Sequence, residues 1–378
     1  MRTLIAAMLA LVLPCTAQAY DLEHDGSGDA IRWPGTFTLA VSNQSRDVAG
    51  DELLAVVQRA AAHWSAVAGV TIQIVSEDHP GAPGYAPAEE EKNRSEVIFV
   101  DDDWEYDDSV VATTLVTSDS ATHQILDADI LVNEAQHHFG ILPDDSQPGQ
   151  GLRDDLEGAL THELGHALGL AHNNELAEAT MYPSTLPGEV SKRALSPDDT
   201  AGVQALYGTS EAPRPFAESN AGCNAGVGAD GMLALLALAG LLFRKRAKTL
   251  ATVAVAAAVL GAAAPSAQAA PVVKVAAEVA GKVTHAQSYW HNGRIYTDVT
   301  VRVAQCEGTC GETVEYRVPG GTVGRICQQL GDLRVPAAGE EVSVSLVRTR
   351  EGALRPLSEA ARARLRSHAR PAPRTSAR

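Results

Sequence analysis

Residues 162–172 read HELGHALGLAH, and this stretch decides how the first half of the chain is interpreted. His162 and His166 are four residues apart, so on a helix both imidazoles leave the same face about one turn apart. Gly169 can adopt the left-handed conformation that ends a helix, which lets His172 return toward the other two histidines. The stretch therefore predicts a cluster of three histidines, two from a helix and one from the loop after it.

The residue types and their spacing are those of a catalytic zinc site. Two ligands on a helix and a third from a loop leave one position of a tetrahedral zinc ion open for water. Glu163 directly follows the first ligand and is expected to act as the general base toward that water, whose pKa zinc lowers from about 15.7 to roughly 7. Two alternatives are three ordinary hydrogen-bonded histidines and a zinc site that has lost activity. Gly169, His172 and an intact Glu163 favour the catalytic site.

Read together with residues 179–183, ATMYP, the stretch resembles the metzincin zinc proteases and, among them, the matrixins. The resemblance implies that Met181 forms the Met-turn, a hydrophobic base beneath the zinc ligands. Residues 195–199 and 206–208 also resemble the last matrixin helix, and residues 32–34 resemble the chain before the first strand. Over roughly residues 31–208 it implies an α+β fold, in which a twisted mixed sheet covers two long helices and a short C-terminal helix follows.

The resemblance also implies a polypeptide substrate, bound as an added β-strand along the edge strand of the sheet. By position that edge is residues 110–117, which contain Thr114 and Leu115. Three family features do not carry over. No cysteine lies between Tyr20 and the first strand to keep the enzyme latent. Pro183 stands where astacin-like relatives have a zinc-contacting tyrosine, and Thr185 stands where matrixins often have a pocket tyrosine.

Hydrophobic periodicity gives a coarse order of elements for this half of the chain. It predicts a helix at 49–68, strands at 70–75, 96–100, 110–117 and 125–133, a helix that begins at Asp154 with Glu157 in capping-box position, and a last helix capped by Ser196.

Charge separates the two halves of the chain. From Tyr20 to Gly208 there are 34 acidic and 8 basic residues, a net charge of −26, whereas 10 acidic and 20 basic residues after Phe243 give +10. The acidic half argues against nucleic acid as a partner, since phosphates would be repelled. It is compatible with bound Ca²⁺ at Asp101–Asp103 or at Asp127 and Asp129, although exposed strand ends are the competing interpretation. His123, His137 and His138 are candidate ligands of a second zinc ion, and the competing interpretation is that they lie in a solvated loop.

Export is predicted from the N-terminus. Arg2, an apolar run and Ala17-Gln18-Ala19 have the order of a secretory signal peptide at residues 1–19, so the protein is expected to be extracellular or at the cell surface. The further segments expected are a zinc protease domain at 20–208, a linker at 209–228, an apolar sorting or anchor segment at 229–248, a second signal-like or transmembrane segment at 249–270, a small β-rich module at 271–350 and a basic disordered tail at 351–378.

The middle of the chain has two interpretations. Cys223, the apolar run 232–243 and Arg244-Lys245-Arg246 resemble the myxobacterial C-terminal sorting tails (MYXO-CTERM), which implies a sorting protease acting near Cys223. A plain membrane anchor is the alternative, with membrane contact through residues 229–264. Both apolar runs are short for spanning a bilayer, so we expect processing that separates residues 249–378 from the protease, with a membrane hairpin as the rival.

The last third predicts a separate all-β module. Alternating segments at 295–301, 313–318 and 342–347 are joined by turn signals, among them Asn292-Gly293. Its three cysteines predict one disulfide and one spare thiol.

The sequence as a whole favours an exported zinc endopeptidase, and the alternative is a surface-attached binding protein with a catalytically silent domain.

Overall fold

The computed structural model describes residues 20–42, 44–77, 81–209, 275–331, 333–349 and 352–357. The predicted signal peptide, nearly all of the linker, the two apolar segments and the end of the basic tail lie outside the described residues. Within the described ranges, no helix is both long enough and apolar enough to cross a membrane.

The first half of the chain alternates helices and strands. The helices are α1 (Gly50–Ser65), α2 (Leu156–Ala167) and α3 (Pro197–Tyr207). The strands are β1 (Phe37–Ser42), β2 (Ile72–Glu77), β3 (Ser95–Val100), β4 (Ala112–Asp119), β5 (Gln124–Asn133), and the two-residue β6 (Phe139–Gly140) and β7 (Asp154–Asp155).

The described part of the second half contains strands and turns. The strands are β8 (Val275–His291), β9 (Arg294–Gly308), β10 (Thr313–Pro319), β11 (Gly321–Val323), β12 (Ile326–Leu330), β13 (Glu341–Arg348) and β14 (Leu354–Pro356). Residues 20–209 and 275–357 belong to one compact unit.

A mixed sheet forms the frame of the first half. Its strand order is β11-β12-β4-β5-β3-β1-β2, with β1, β2, β3 and β5 parallel and β4 antiparallel to β5. The apolar faces of α1 and α2 share one core with the sheet. Trp64 is fully buried there, and its indole Nε1 donates to the Thr161 carbonyl at 2.9 Å, which joins α1 to α2. The expected α+β arrangement is confirmed.

Most predicted elements of this half appear within two residues of their expected bounds. The start of α2 differs, because its N-cap is Asp155, whose carboxylate accepts from the Gly158 N–H at 2.8 Å. Glu157 is not part of a capping box and instead binds Arg59 of α1, with Arg59 Nε 2.8 Å from its Oε2. The pair of Arg59 with Glu157 therefore links α1 to α2.

The β-rich second half has a five-stranded sheet of order β10-β9-β8-β13-β14 and a core of its own. Asn292 and Gly293 connect β8 to β9 with φ values of 50° and 77°, as the two-residue turn signal predicts. Cys306 and Cys310 form a disulfide, and Cys327 is a buried free thiol. The tail was predicted to be disordered from 351, but residues 354–356 pair with β13, because the neighbouring Leu357 is buried.

Two strands of this second half leave its sheet. β11 and β12 form a hairpin, and β12 pairs antiparallel with β4 of the first sheet. The second half therefore shares a sheet with the first half, and a separate β-module is a prediction that is not confirmed. The prediction that Thr114 and Leu115 lie on an open sheet edge is wrong for this structure, because β12 covers that side of β4 and leaves them 0% and 3% exposed.

One carboxylate in the sheet core is poorly compensated. Asp127 on β5 is 1% exposed, and one of its oxygens accepts from the Ser95 hydroxyl at 3.0 Å while Oδ2 has no hydrogen-bond partner among the described residues. Burial raises the pKa of Asp127 to about 7. The folded state thus keeps a proton that the unfolded chain releases near pH 3.9, so the free energy of unfolding falls as pH rises between these values.

In the native chain the free energy of unfolding should fall between pH 4.5 and pH 8, and we expect Asp127→Asn to reduce that fall by on the order of 1 kcal/mol or more, since it removes this proton release. Burial also raises the pKa of the neighbouring Asp129, so part of the fall should remain in the variant. Urea unfolding in calcium-free buffer at both pH values measures the difference. Asp145→Asn, at an exposed position, is the control and should show no such difference. Equal pH dependence in the native chain and Asp127→Asn would contradict the assignment.

Candidate active site

The local fold of α2 and the loop after it brings the three histidines together. His162 and His166 lie in the second half of α2, which ends at Ala167. Gly169 has φ +97°, and a side chain at this position would meet the Ile31 carbonyl oxygen. A left-handed residue with no side chain is therefore required here. It reverses the chain so that His172 faces the helix.

The three imidazoles form a triangle of nitrogens. His162 Nε2 lies 3.1 Å from His172 Nε2, and His166 Nε2 lies 3.2 Å from His162 Nε2 and 3.1 Å from His172 Nε2. Nitrogens bound tetrahedrally at about 2.0–2.1 Å from one zinc ion would lie roughly 3.3 Å apart. The donor set and its spacing therefore fit a zinc ion with a fourth position open.

Backbone carbonyls fix the orientation of two of these rings. His162 Nδ1 donates to the Thr180 carbonyl at 2.6 Å, and His166 Nδ1 donates to the Leu170 carbonyl at 2.8 Å. These bonds place the proton on Nδ1 and leave the Nε2 lone pairs toward the triangle. Burial, reinforced by the neighbouring rings, lowers the pKa of His162 and of His166 to about 3. Both rings are therefore neutral at pH 7, as metal ligands must be.

Glu163 lies on the same helix with its carboxylate at the cavity beside the triangle. The residue is 5% exposed, and its Oε2 accepts a hydrogen bond from the Thr114 hydroxyl at 2.7 Å. This contact gives Thr114 a role that its sequence position on β4 does not indicate. It holds the carboxylate at the boundary between helix and sheet.

Met181 is 2% exposed and lies against α2 beneath the histidines. A side chain on Gly165 would collide with Met181 Sδ, so this methionine packs directly on the helix backbone between the two helical histidines. The position agrees with the hydrophobic base that the resemblance implies.

Asp199, near the start of α3, organises the turn that contains Met181 and was missed by the sequence analysis. Its carboxylate accepts from the backbone N–H groups of Thr180 at 2.8 Å, Met181 at 3.0 Å and Ser196 at 2.7 Å. The Thr180 carbonyl in turn orients His162. In the sequence, Ser196 and the residues after it indicate only the start of a helix. Asp199 does complete a capping box with Ser196 there.

A cavity beside the triangle is bounded by the turn after Met181. Tyr182, Pro183 and Thr185 line it on one side, and Lys192 lines it from below. The Lys192 ammonium donates to the Ala179 carbonyl at 2.6 Å, and burial lowers its pKa. The cavity wall is thus tied by a buried cation to the turn that carries Met181.

The other metal expectations have a different outcome. His137 pairs with Asp154, and His138 lies near Asp47, so these histidines do not form a joint site. Among the described residues, the only other group of three such side chains within 4.8 Å is Asp25, Asp29 and His123. Asp25 is already bonded to His123 and Ser27 there. The acidic groups 101–103 and 127 with 129 belong to neither group, and calcium stays a prediction.

Comparison with known proteins agrees with this geometry. The Matrixin family profile matches residues 32–208. Residues 32–208, just under half of the chain, are therefore similar to matrixins. The chain is 46% identical over 68 residues to metalloendoproteinase 1-MMP of Arabidopsis thaliana, covering 18% of each chain. It is 38% identical over 91 residues to human neutrophil collagenase, covering 20% of this chain and 19% of the relative. With human matrilysin it shares 48% over 60 residues, covering 16% and 22%. The chain therefore spans less than a quarter of the length of these relatives.

The three bonds of Asp199 allow a direct test of its role. We expect Asp199→Ala to lower the free energy of unfolding by roughly 2–4 kcal/mol, because three backbone N–H groups lose a charged acceptor, and to weaken zinc binding because the turn that orients His162 loosens. Chemical unfolding and zinc titration measure the two effects. Asp198→Ala removes the same charge from the helix N-terminus together with one bond to the Asn173 side chain, and it leaves the bonds to Thr180 and Met181 in place. A variant of Asp199 that behaves like this control would refute the role.

Proposed function

We propose that this protein is a zinc-dependent endopeptidase, with His162, His166 and His172 as zinc ligands and Glu163 as the general base. The observation that supports it best is the triangle of Nε2 atoms beside the Glu163 carboxylate, because a structural zinc site needs no base at its open position. The metalloendoproteinase and collagenase names of the relatives support the same activity.

The zinc ion and the residues of the chain have different parts in the reaction. When bound, the zinc ion supplies Lewis-acid polarisation of the scissile carbonyl and acidifies the attacking water. Glu163 takes the proton from that water and later donates it to the nitrogen of the leaving amine. Thr114 holds the carboxylate in position during both transfers. Main-chain groups at the β4 end nearest Thr114 are proposed to bind the substrate as an extended strand.

The substrate class is polypeptide, and the acidic surface of this half disfavours nucleic acid. Export by the N-terminal segment, and a sorting or anchoring role for residues 209–270, are part of the same proposal. So is bound calcium, as a stabilising ion. A binding protein with a silent site is the alternative function, and the intact Glu163 with its Thr114 contact favours the enzyme.

The division of roles between ligand and base predicts two different losses. Glu163→Gln should lower kcat by on the order of 10²–10⁴ and retain zinc, since it removes the proton acceptor but no ligand. His166→Ala should lose the metal as well as activity. Digestion of a peptide library, with metal analysis of each purified protein, checks both. The assignment would be refuted if Glu163→Gln lost its zinc, or if the zinc-loaded variant kept full activity.

Thr114 is expected to act through Glu163 as a positioning residue. Thr114→Val, of similar shape, should lower kcat roughly tenfold or more with zinc retained, the equivalent of one hydrogen bond to a charged group. Thr114→Ser restores the hydroxyl and should recover most of the activity. Equal kcat for the valine and serine variants would show that the hydroxyl is dispensable.

A further inference from the structure

The outer side of β4 is taken by a strand from the far end of the chain. β12 pairs with β4 antiparallel, from Ile326 opposite Asp119 to Leu330 opposite Leu115. The pairing continues to Gly331, whose N–H donates to the Thr114 carbonyl at 3.1 Å. Thr114 is the residue whose hydroxyl contacts Glu163. Strand pairing therefore extends to the residue next to the general base.

β12 stops short of the histidines. The Leu333 N–H donates to the Leu330 carbonyl at 3.0 Å, and Gly331 has φ +48°, so the chain turns away at this point. Gly331 lies on the rim of the active-site cavity. The β4 edge is thus occupied along residues 115–119 by an extended segment of the same chain, whereas Ala112 and Thr113 on the same strand line the active-site cavity.

Only one strand can pair with a given side of β4. Each backbone N–H and C=O on that side offers one place in a ladder, and β12 uses these places from Asp119 to Thr114. A polypeptide that adds itself to the same edge would need the same groups. A long substrate and β12 therefore exclude each other along this part of the cleft.

Contacts around β12 hold it on β4. The side-chain amide of Gln328 bonds through both of its polar atoms. Its nitrogen donates to Thr117 Oγ1 at 3.1 Å, and its oxygen Oε1 accepts from the Ile295 N–H at 2.5 Å. Arg294 forms a bidentate pair with Glu105, both bonds 2.9 Å long. The bonds to Thr117 and to Glu105 join the second half of the chain to the first half. The position of β12 is therefore fixed in register, and a charged pair supports it.

We propose that β12 is an autoinhibitory strand that occupies the substrate edge of the protease in the intact chain. The inference rests on the proposed function, because it takes the β4 edge as the place where substrate binds. The intact chain cleaves long polypeptides slowly, and separation of the second half uncovers β4. The released second half then inhibits the protease as a separate molecule, because it carries the same strand.

A cleavable chain tests the release. A site for a specific protease is introduced between residues 213 and 269 of the full chain, and hydrolysis of an unfolded protein substrate is measured before and after cutting. We expect kcat/KM to rise on the order of tenfold or more after cutting and dilution, because the tether no longer supplies a high local concentration of β12. Concentrating the cut fragments should reverse the rise.

The native thiol of Cys327 allows a matched latch. Cys327 lies directly opposite Ser118 in the ladder, and the buried Ser118 hydroxyl has no hydrogen-bond partner in the described structure. Opposed side chains of an antiparallel pair lie on one face within reach of a disulfide. Ser118→Cys in the cleavable chain should therefore stay inhibited after cutting under oxidising conditions and gain activity on reduction. Ser118→Cys combined with Cys327→Ser cannot form the latch and is the control.

Binding separates this inference from the proposed function. In a Glu163→Gln background, a labelled extended peptide should bind the reduced, cut protein and fail to bind the latched protein, whether or not any sample hydrolyses peptides. Equal binding and equal kcat/KM in the latched and released forms, with the disulfide verified by mass spectrometry, would overturn the autoinhibitory role. Absence of hydrolysis in every released form, with peptide binding still controlled by the latch, would instead refute the proposed function alone.

Discussion

The structure of the first half depends on holding three neutral imidazoles with their Nε2 atoms 3.1–3.2 Å apart. The rings of His162 and His166 keep one proton each, on Nδ1, and do not take up a second one at neutral pH, since burial lowers their pKa to about 3. The fold must therefore keep the rings desolvated and oriented until a cation occupies the space between them, so metal binding and folding are coupled. No cysteine lies between residues 20 and 208 to help. The rigidity comes from the shared core of the two long helices and the sheet, and from backbone carbonyls that fix the rings.

The sequence predicted those features whose cause lies in a few neighbouring residues, such as helix faces and tight turns. The His162 and His166 spacing fixes their common face on any helix, and Gly169 is needed because a carbonyl oxygen lies where its side chain would be. The Asn292-Gly293 turn was predicted for the same reason, since its positive φ values belong to a two-residue hairpin. Strands with buried alternation or β-branched runs were found close to their predicted bounds. In each case a few neighbouring residues carry the whole cause.

Tertiary partners were outside the reach of the sequence. Asp199 reads as a helix cap, and its bonds to Thr180 and Met181 exist only because α3 returns to the turn after α2. Glu157 reads as a capping-box residue, yet Arg59 on another helix is its partner. The edge position of β4 was inferred from the first half alone and was wrong, because the strand that covers it lies about 200 residues later. Alternation predicts that a segment is a strand but does not identify the strand beside it.

The pairing of β12 with β4 joins two halves of the chain that differ strongly in composition. The pair of Arg294 with Glu105 is a local charged contact between the two halves, because residues 275–357 contain nine acidic and nine basic residues and are neutral as a whole. Residues 20–208 contain no thiol that could bind at the zinc site. A strand that competes for backbone groups provides latency of another kind, which leaves the zinc position itself free. Its strength depends on tethering, so any cut between the halves would change activity without altering the catalytic residues.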